Sequence, residues 1–169
     1  MRFDVITLFP ELFAPFLSAG INRRAFETGA VELKLWQLRD YADGSYRRVD
    51  DRPFGGGPGM VMLAEPLSQC LQAIRQARDD DRQSAPLVYF SPVGKRLEQE
   101  QVRGFASSPQ GAVLLCGRYE GVDQRFIDQY VDLQISLGDF VLSGGEIAAM
   151  ALLDAVARLQ PGVLNDEGS

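Results

Sequence analysis

The chain has 169 residues, 46% of them apolar, with a formal net charge of −6 and a pI near 4.7. That length and apolar content suit one domain with a sizeable core, and no low-complexity linker divides it. The negative charge excludes a broad basic surface for non-specific nucleic-acid binding, so any RNA contact must be local.

Histidine is absent, which removes His-based triads, imidazole acid–base chemistry and most transition-metal sites. Proton chemistry falls to carboxylates, Tyr or Lys. Of the 17 basic residues only Lys34 and Lys95 are lysines, and arginines suit planar, bidentate contacts to carboxylate, phosphate or base edges. Cys70, in a helical pattern, and Cys116, ending an apolar run, fit buried thiols in a reducing compartment better than a disulfide or a metal framework. No metal-ligand set is read from the sequence. Asp4 stands where a signal peptide would be apolar, and no apolar run reaches membrane-spanning length, so a cytoplasmic protein without a membrane partner is expected.

Residues 3–9 are a short, β-rich apolar run, which predicts a buried first strand of a parallel sheet. Pro10-Glu-Leu then opens a predicted helix: Leu12, Phe13, Phe16 and Leu17 keep helical spacing to cover one sheet face, and Gly20 ends it. Residues 31–38 alternate, with Glu32 and Lys34 on one side, as a partly exposed second strand does. From Arg39 to Met60 neither period holds. Four glycines and two prolines at positions 53–59 combine rigidity with close backbone approach, and a long aperiodic loop in a compact domain points to function. No Gly-Lys-Ser/Thr follows, so it is not a Walker A loop. Pro66, at a first-turn position, begins a helix through Leu67, Cys70, Leu71, Ile74 and Ala77, and Asp79-Asp80-Asp81 reads as a solvated loop.

Three short strands follow, at residues 87–91, 112–116 and 133–135, with a helix around 98–105 after the first. They end in Ser91-Pro-Val-Gly94, in Gly117-Arg-Tyr-Glu-Gly121, and in the stretch from Gly138 to Gly145. Ser143-Gly-Gly-Glu146 has the spacing of a capping box, in which hydroxyl and carboxylate each satisfy a free backbone N–H. A helix is therefore predicted from near Gly144 to Leu159, stopped by Pro161-Gly162. Turns after the C-terminal ends of parallel strands share one edge, where α/β sheets bind ligands. No turn has the G-x-G-x-x-G spacing or a P-loop lysine, so a phosphate-centred cofactor is not indicated. Backbone groups with Tyr89, Leu137, Phe140, Val141 and Leu142 suit an adenosine-containing ligand without a phosphate chain.

Val49-Asp-Asp-Arg-Pro-Phe-Gly-Gly-Gly-Pro-Gly-Met60, Gly117-Arg-Tyr-Glu-Gly-Val-Asp123 and Ser136-Leu-Gly-Asp-Phe-Val-Leu-Ser-Gly-Gly-Glu146 closely resemble bacterial tRNA (guanine-N1)-methyltransferase, and the likeness covers essentially the whole chain. The resemblance implies an α/β fold, a largely parallel sheet flanked by helices with a deep C-terminal trefoil knot (SPOUT-like). It implies S-adenosyl-L-methionine (SAM) as methyl donor, N1 of the guanosine 3′ of the tRNA anticodon as acceptor, and a homodimer with sites built from both subunits. Carried over by motif, the cofactor residues are Tyr89, Phe90, Ser91, Pro92, Gly117, Tyr119, Glu120, Gly121, Ser136, Leu137, Gly138, Asp139, Phe140, Val141, Leu142, Gly144 and Gly145. Gly57, Pro58, Gly59 and Met60 border the substrate, and Arg158 matches the family's catalytic arginine. Mg2+ takes part in catalysis in the family, and Glu120 is the residue in question.

The likeness implies a SAM-binding domain over residues 1–160 and the start of an interdomain linker at 161–169. The family's general-base aspartate aligns beyond Ser169, as does the helical domain that grips tRNA, so SAM binding with little or no turnover is expected. Val93, Phe140, Ala148 and Asn165 stand where Gln, Tyr, Pro and His are usual in the family. Other readings stay open: a knotted 2′-O-methyltransferase, against which the motif at 55–60 argues, and a dimeric SAM- or RNA-binding module without catalysis. An ordinary ATP- or NAD-binding α/β domain would need the missing phosphate motifs.

Overall fold

The computed structural model describes residues 1–78, 85–166 and 168, so the acidic run at 79–81 lies outside the described residues. The strands are β1 (Arg2–Thr7), β2 (Glu32–Gln37), β3 (Asp50–Asp51), β4 (Val61–Met62), β5 (Leu87–Arg96), β6 (Ala112–Leu115) and β7 (Leu133–Ser136). Five of them form one sheet in the order β2-β1-β6-β5-β7, with every pairing parallel. β1 and β6 lie inside the sheet and are buried almost throughout, the behaviour of strands covered on both faces. β2 lies at the edge, which is why Glu32 and Lys34 can alternate there.

The helices are α1 (Ala14–Ser18), α2 (Arg23–Glu27), α3 (Ala64–Ala77), α4 (Gln99–Ala106), α5 (Gln124–Tyr130) and α6 (Glu146–Ala157). One core cluster packs Phe13, Val102, Phe105, Leu152 and Val156 against Phe3, Val5 and Leu114 of the sheet. The other packs Leu67, Cys70, Ile74 and Phe126 against Ile6, Val113 and Leu115. Successive sheet residues point to opposite faces, so each strand feeds both cores. The α/β class and the parallel sheet expected from the sequence are therefore observed.

Several elements differ from expectation. The helix predicted after Pro10 is a 3-10 turn (Pro10–Phe13) followed by the five residues of α1, and α2 after it was not predicted. Pro15 has no N–H to give, and Gly20, at φ +76°, ends the segment. α3 begins at Ala64, two residues before Pro66. α5 was also missed, because seven residues with Phe126 alone buried display no helical period. The aperiodic segment 39–60 contains β3, which pairs with β4 and closes the glycine-rich loop at its base.

β5 continues past Ser91 to Arg96, with a bulge between Phe90 and Lys95 that lets both pair with Ile135 of β7. Gly94 is required there: a Cβ would lie 2.6 Å from the backbone N of Ile135. Val163, beyond the end of α6, is buried against the first core.

Candidate functional site

The C-terminal ends of β5, β6 and β7 surround a cavity of about 520 Å³, within the size range of small-molecule sites. All the cofactor residues expected from the sequence line it except Gly138 and Asp139. Gly138 supports the wall indirectly. Its N–H donates to Ser136 Oγ at 3.1 Å, its carbonyl accepts from that hydroxyl at 3.0 Å, and the Phe140 ring lies where a Cβ would project. Phe140 and Val141 form an exposed apolar rim, Val141 being 84% exposed.

Tyr89 forms the floor. A Cβ on Gly117 would lie 2.9 Å from its ring, so Gly117 lets the 117–121 turn cross it closely, and burial pushes the phenol up, keeping it neutral. The turn then bends sharply, with Tyr119 at φ +59°, a left-handed conformation unusual for an aromatic residue. It is tied to the 143–145 turn by Gly145 N–H, which donates to Gly117 O at 3.0 Å. A Cβ on Gly145 would lie 2.8 Å from the Cα of Cys116. These glycines let three backbone segments converge.

Among the described residues lining the cavity, Arg118 and Glu120 alone carry charge. Glu120 is exposed and accepts from Met60 N–H at 2.7 Å, while its own N–H donates to Met60 O at 3.0 Å. Its carboxylate fills the space of a Gly59 Cβ. Gly59 and Met60 therefore reach the cavity rim through Glu120, whereas Gly57 and Pro58 are exposed and do not line it.

Arg118 donates from Nε to Glu146 Oε1 at 2.5 Å and from Nη1 to Ser143 O at 3.3 Å. The predicted capping box is therefore absent: Gly145 caps α6 without a side-chain bond, because the buried Glu146 carboxylate turns to the partly buried guanidinium instead. Burial pushes the Glu146 carboxyl up, against the opposing pull of Arg118, and pushes the fully buried Cys116 thiol beside it well up.

Arg158 lies just past the C-terminal end of α6 and does not line the cavity. Twelve helical residues, roughly 18 Å of rise, separate it from the 143–145 turn. Among the described residues no cluster of three or more His, Cys, Asp or Glu could hold a metal ion.

The chain matches the family profile described as tRNA (Guanine-1)-methyltransferase TrmD over residues 1–169. It belongs to that family. A relative from Paracidovorax citrulli (strain AAC00-1), named tRNA (guanine-N(1)-)-methyltransferase, is 71% identical over 170 residues, covering 100% of this chain and 66% of that protein. One of the same name from Xanthomonas campestris pv. campestris (strain B100) is 59% identical over 169 residues, again with 66% of its length covered. A crystal structure titled tRNA (m1G37) methyltransferase from Aquifex aeolicus superposes with a TM-score of 0.87 at 38% identity, covering 98% of this chain and 72% of that one. The chain thus spans just under two thirds of the length of the curated relatives it matches.

The structure of this family member adds lining residues that sequence reasoning did not select, among them Arg118, Gln124, Ile127, Gln134 and Ala148. Arg118 stood inside a motif already singled out. Gln124 and Ile127 lie on α5, which had no sequence signal long enough to place them.

Proposed function

We propose that residues 1–169 form the SAM-binding part of an enzyme that methylates N1 of guanosine 37, 3′ of the tRNA anticodon. The observation that carries this reading is the convergence of three strand-end turns on one cavity in a chain of this family. The walls fit the cofactor: they are apolar and rich in backbone groups, and hold a carboxylate but no lysine. When bound, SAM supplies an electrophilic methyl group on a sulfonium. The backbone of the 117–121 and 137–145 turns would hold the adenosine beside Tyr89, Leu137 and Leu142, and Glu120 supplies a negative charge suited to a cationic centre.

Positioning supplies much of the acceleration in such a displacement. Guanine N1 must also lose its proton, and Arg158 would stabilise negative charge developing on O6. Because Arg158 stands away from its own cavity, the proposal includes a homodimer in which it serves the partner's site. The exposed apolar rim at Phe140, Val141 and Ile147 suits burial in such an assembly. A deep C-terminal trefoil knot formed by the three strand-end turns, Mg2+ acting through Glu120, a domain limit near 160 and a cytoplasmic location belong to the same proposal. No helix among the described residues is long and apolar enough to cross a membrane.

The test is methyl transfer by a protein of the relatives' full length to two tRNA transcripts, one with guanosine and one with adenosine at position 37. Labelling of the first alone, mapped to N1 by mass spectrometry, is the expected result. Equal labelling of both, or methylation at a ribose 2′-hydroxyl, contradicts it.

A further inference from the structure

The two charged residues of the cavity wall are held in different ways. Glu120 is exposed and rests on one backbone N–H of the glycine-rich loop. Arg118 is gripped from three sides. Its guanidinium lies 4.6 Å from the ring centroid of Phe9, donates to the carbonyl of Ser143, and pairs with Glu146. Gly144 completes the grip, since a Cβ there would collide with the guanidinium.

Glu146 is 1% exposed, and its second oxygen, Oε2, has no hydrogen-bond partner among the described residues. Its neighbours are the Arg118 guanidinium and the Cys116 thiol. A buried carboxylate with an unmet oxygen is poorly explained by stability, because an apolar pair of similar volume serves a core as well or better. Its effect is local and geometric. Cys116 directly follows β6, Arg118 stands in the 117–121 turn, and Glu146 opens α6 directly behind the 143–145 turn. The pair therefore joins two of the three turns that make the cavity, at the point where Gly145 N–H also meets Gly117 O.

We propose that Arg118, aimed by Glu146, is a positioning residue: the ion pair locks the 117–121 turn against the 143–145 turn so that both present their backbone groups to one bound cofactor. This rests on the reading of the cavity as a SAM site. The charges need each other. Arg118→Met leaves Glu146 buried without its counter-ion, whereas Arg118→Met with Glu146→Gln leaves no buried charge.

The experiment compares the wild type with Arg118→Lys, Arg118→Met, Glu146→Gln and the double variant Arg118→Met/Glu146→Gln. SAM affinity is read by calorimetry, and protection of the Gly145 amide by hydrogen exchange without ligand. Arg118→Met is expected to weaken SAM binding at least tenfold and to speed exchange at Gly145 at least tenfold. The double variant is expected to recover part of both losses, and Arg118→Lys to fall between wild type and Arg118→Met. A folded Arg118→Met or Arg118→Lys protein with wild-type exchange at Gly145 overturns the clamp. So does a double variant no better than Arg118→Met. If the wild type binds no SAM, the cofactor reading fails, and the clamp is still decided by the exchange measurement.

Discussion

The two ends of the parallel sheet each bury a carboxylate against an arginine, but they satisfy it to different degrees. At the N-terminal end, Asp4 and Arg78 are both fully buried side chains paired at 2.9 Å. Asp4 also accepts from Arg2 Nε and Nη2 at 3.1 Å and from Trp36 Nε1 at 2.8 Å. Arg78 donates further to the carbonyls of Arg2, Gln110 and Ala112. At the C-terminal end, Glu146 has Arg118 on one oxygen, while its other oxygen has no partner in hydrogen-bond geometry among the described residues and only the weakly donating Cys116 thiol lies beside the carboxyl. A fully bonded network rigidifies a core. A half-bonded one beside a cavity is tolerated where the geometry it imposes is used.

The largest expected effect breaks the first end. Arg78→Met should lower unfolding free energy by about 3–5 kcal/mol in a urea titration, because Asp4 keeps only Arg2 of its two arginine partners and the carbonyls of Arg2, Gln110 and Ala112 lose a donor, while the folded fraction keeps its ligand affinity. Gly145→Ala breaks the second end: its Cβ meets the backbone of Cys116, which should reduce stability by about 1–3 kcal/mol and weaken ligand binding as well. If Arg78→Met weakened binding and Gly145→Ala did not, the division of labour between the ends would be reversed.

Asp123→Ala should reduce stability by about 1 kcal/mol, because Asp123 caps α5 by accepting from Arg125 N–H at 2.9 Å. Hydrogen bonding from Arg125 holds its carboxyl below the usual range, so this stability is present above the usual carboxylate value and lost as pH falls through the lowered one. Glu146 has the opposite sign. Its carboxyl is raised by burial, so the folded chain holds the proton more tightly, and stability should fall as pH climbs from the usual carboxylate value through the raised one. Thermal melting of Glu146→Gln across that window should show that slope removed. The smallest effect is Tyr119→Asn, expected to raise stability by about 1 kcal/mol or less by easing the positive φ, at some loss of ligand affinity.

Sequence and structure agree where periodicity or glycine placement is strong. The apolar runs at residues 3–9, 87–91 and 112–116 made β1, β5 and β6 legible, and the shared edge of parallel strands then brought their turns together. α2 and α5 were hidden because five and seven residues are too few to show a helical period. The Ser143-Gly-Gly-Glu146 spacing misled for a different reason. A capping box is a local pattern, and Arg118, 28 residues away in sequence, competes for the same carboxylate with a full charge. Arg118 itself was in view but without a role, since its partner had been assigned to a cap.

The most direct measurement is a calorimetric titration of this chain with S-adenosylmethionine, with ATP as control. Saturable binding of S-adenosylmethionine near one equivalent per chain, with no heat from ATP, is the result expected from a backbone-rich cavity without phosphate ligands. A folded sample that binds neither, or that binds ATP as well, would contradict the assignment of the three turns to that cofactor.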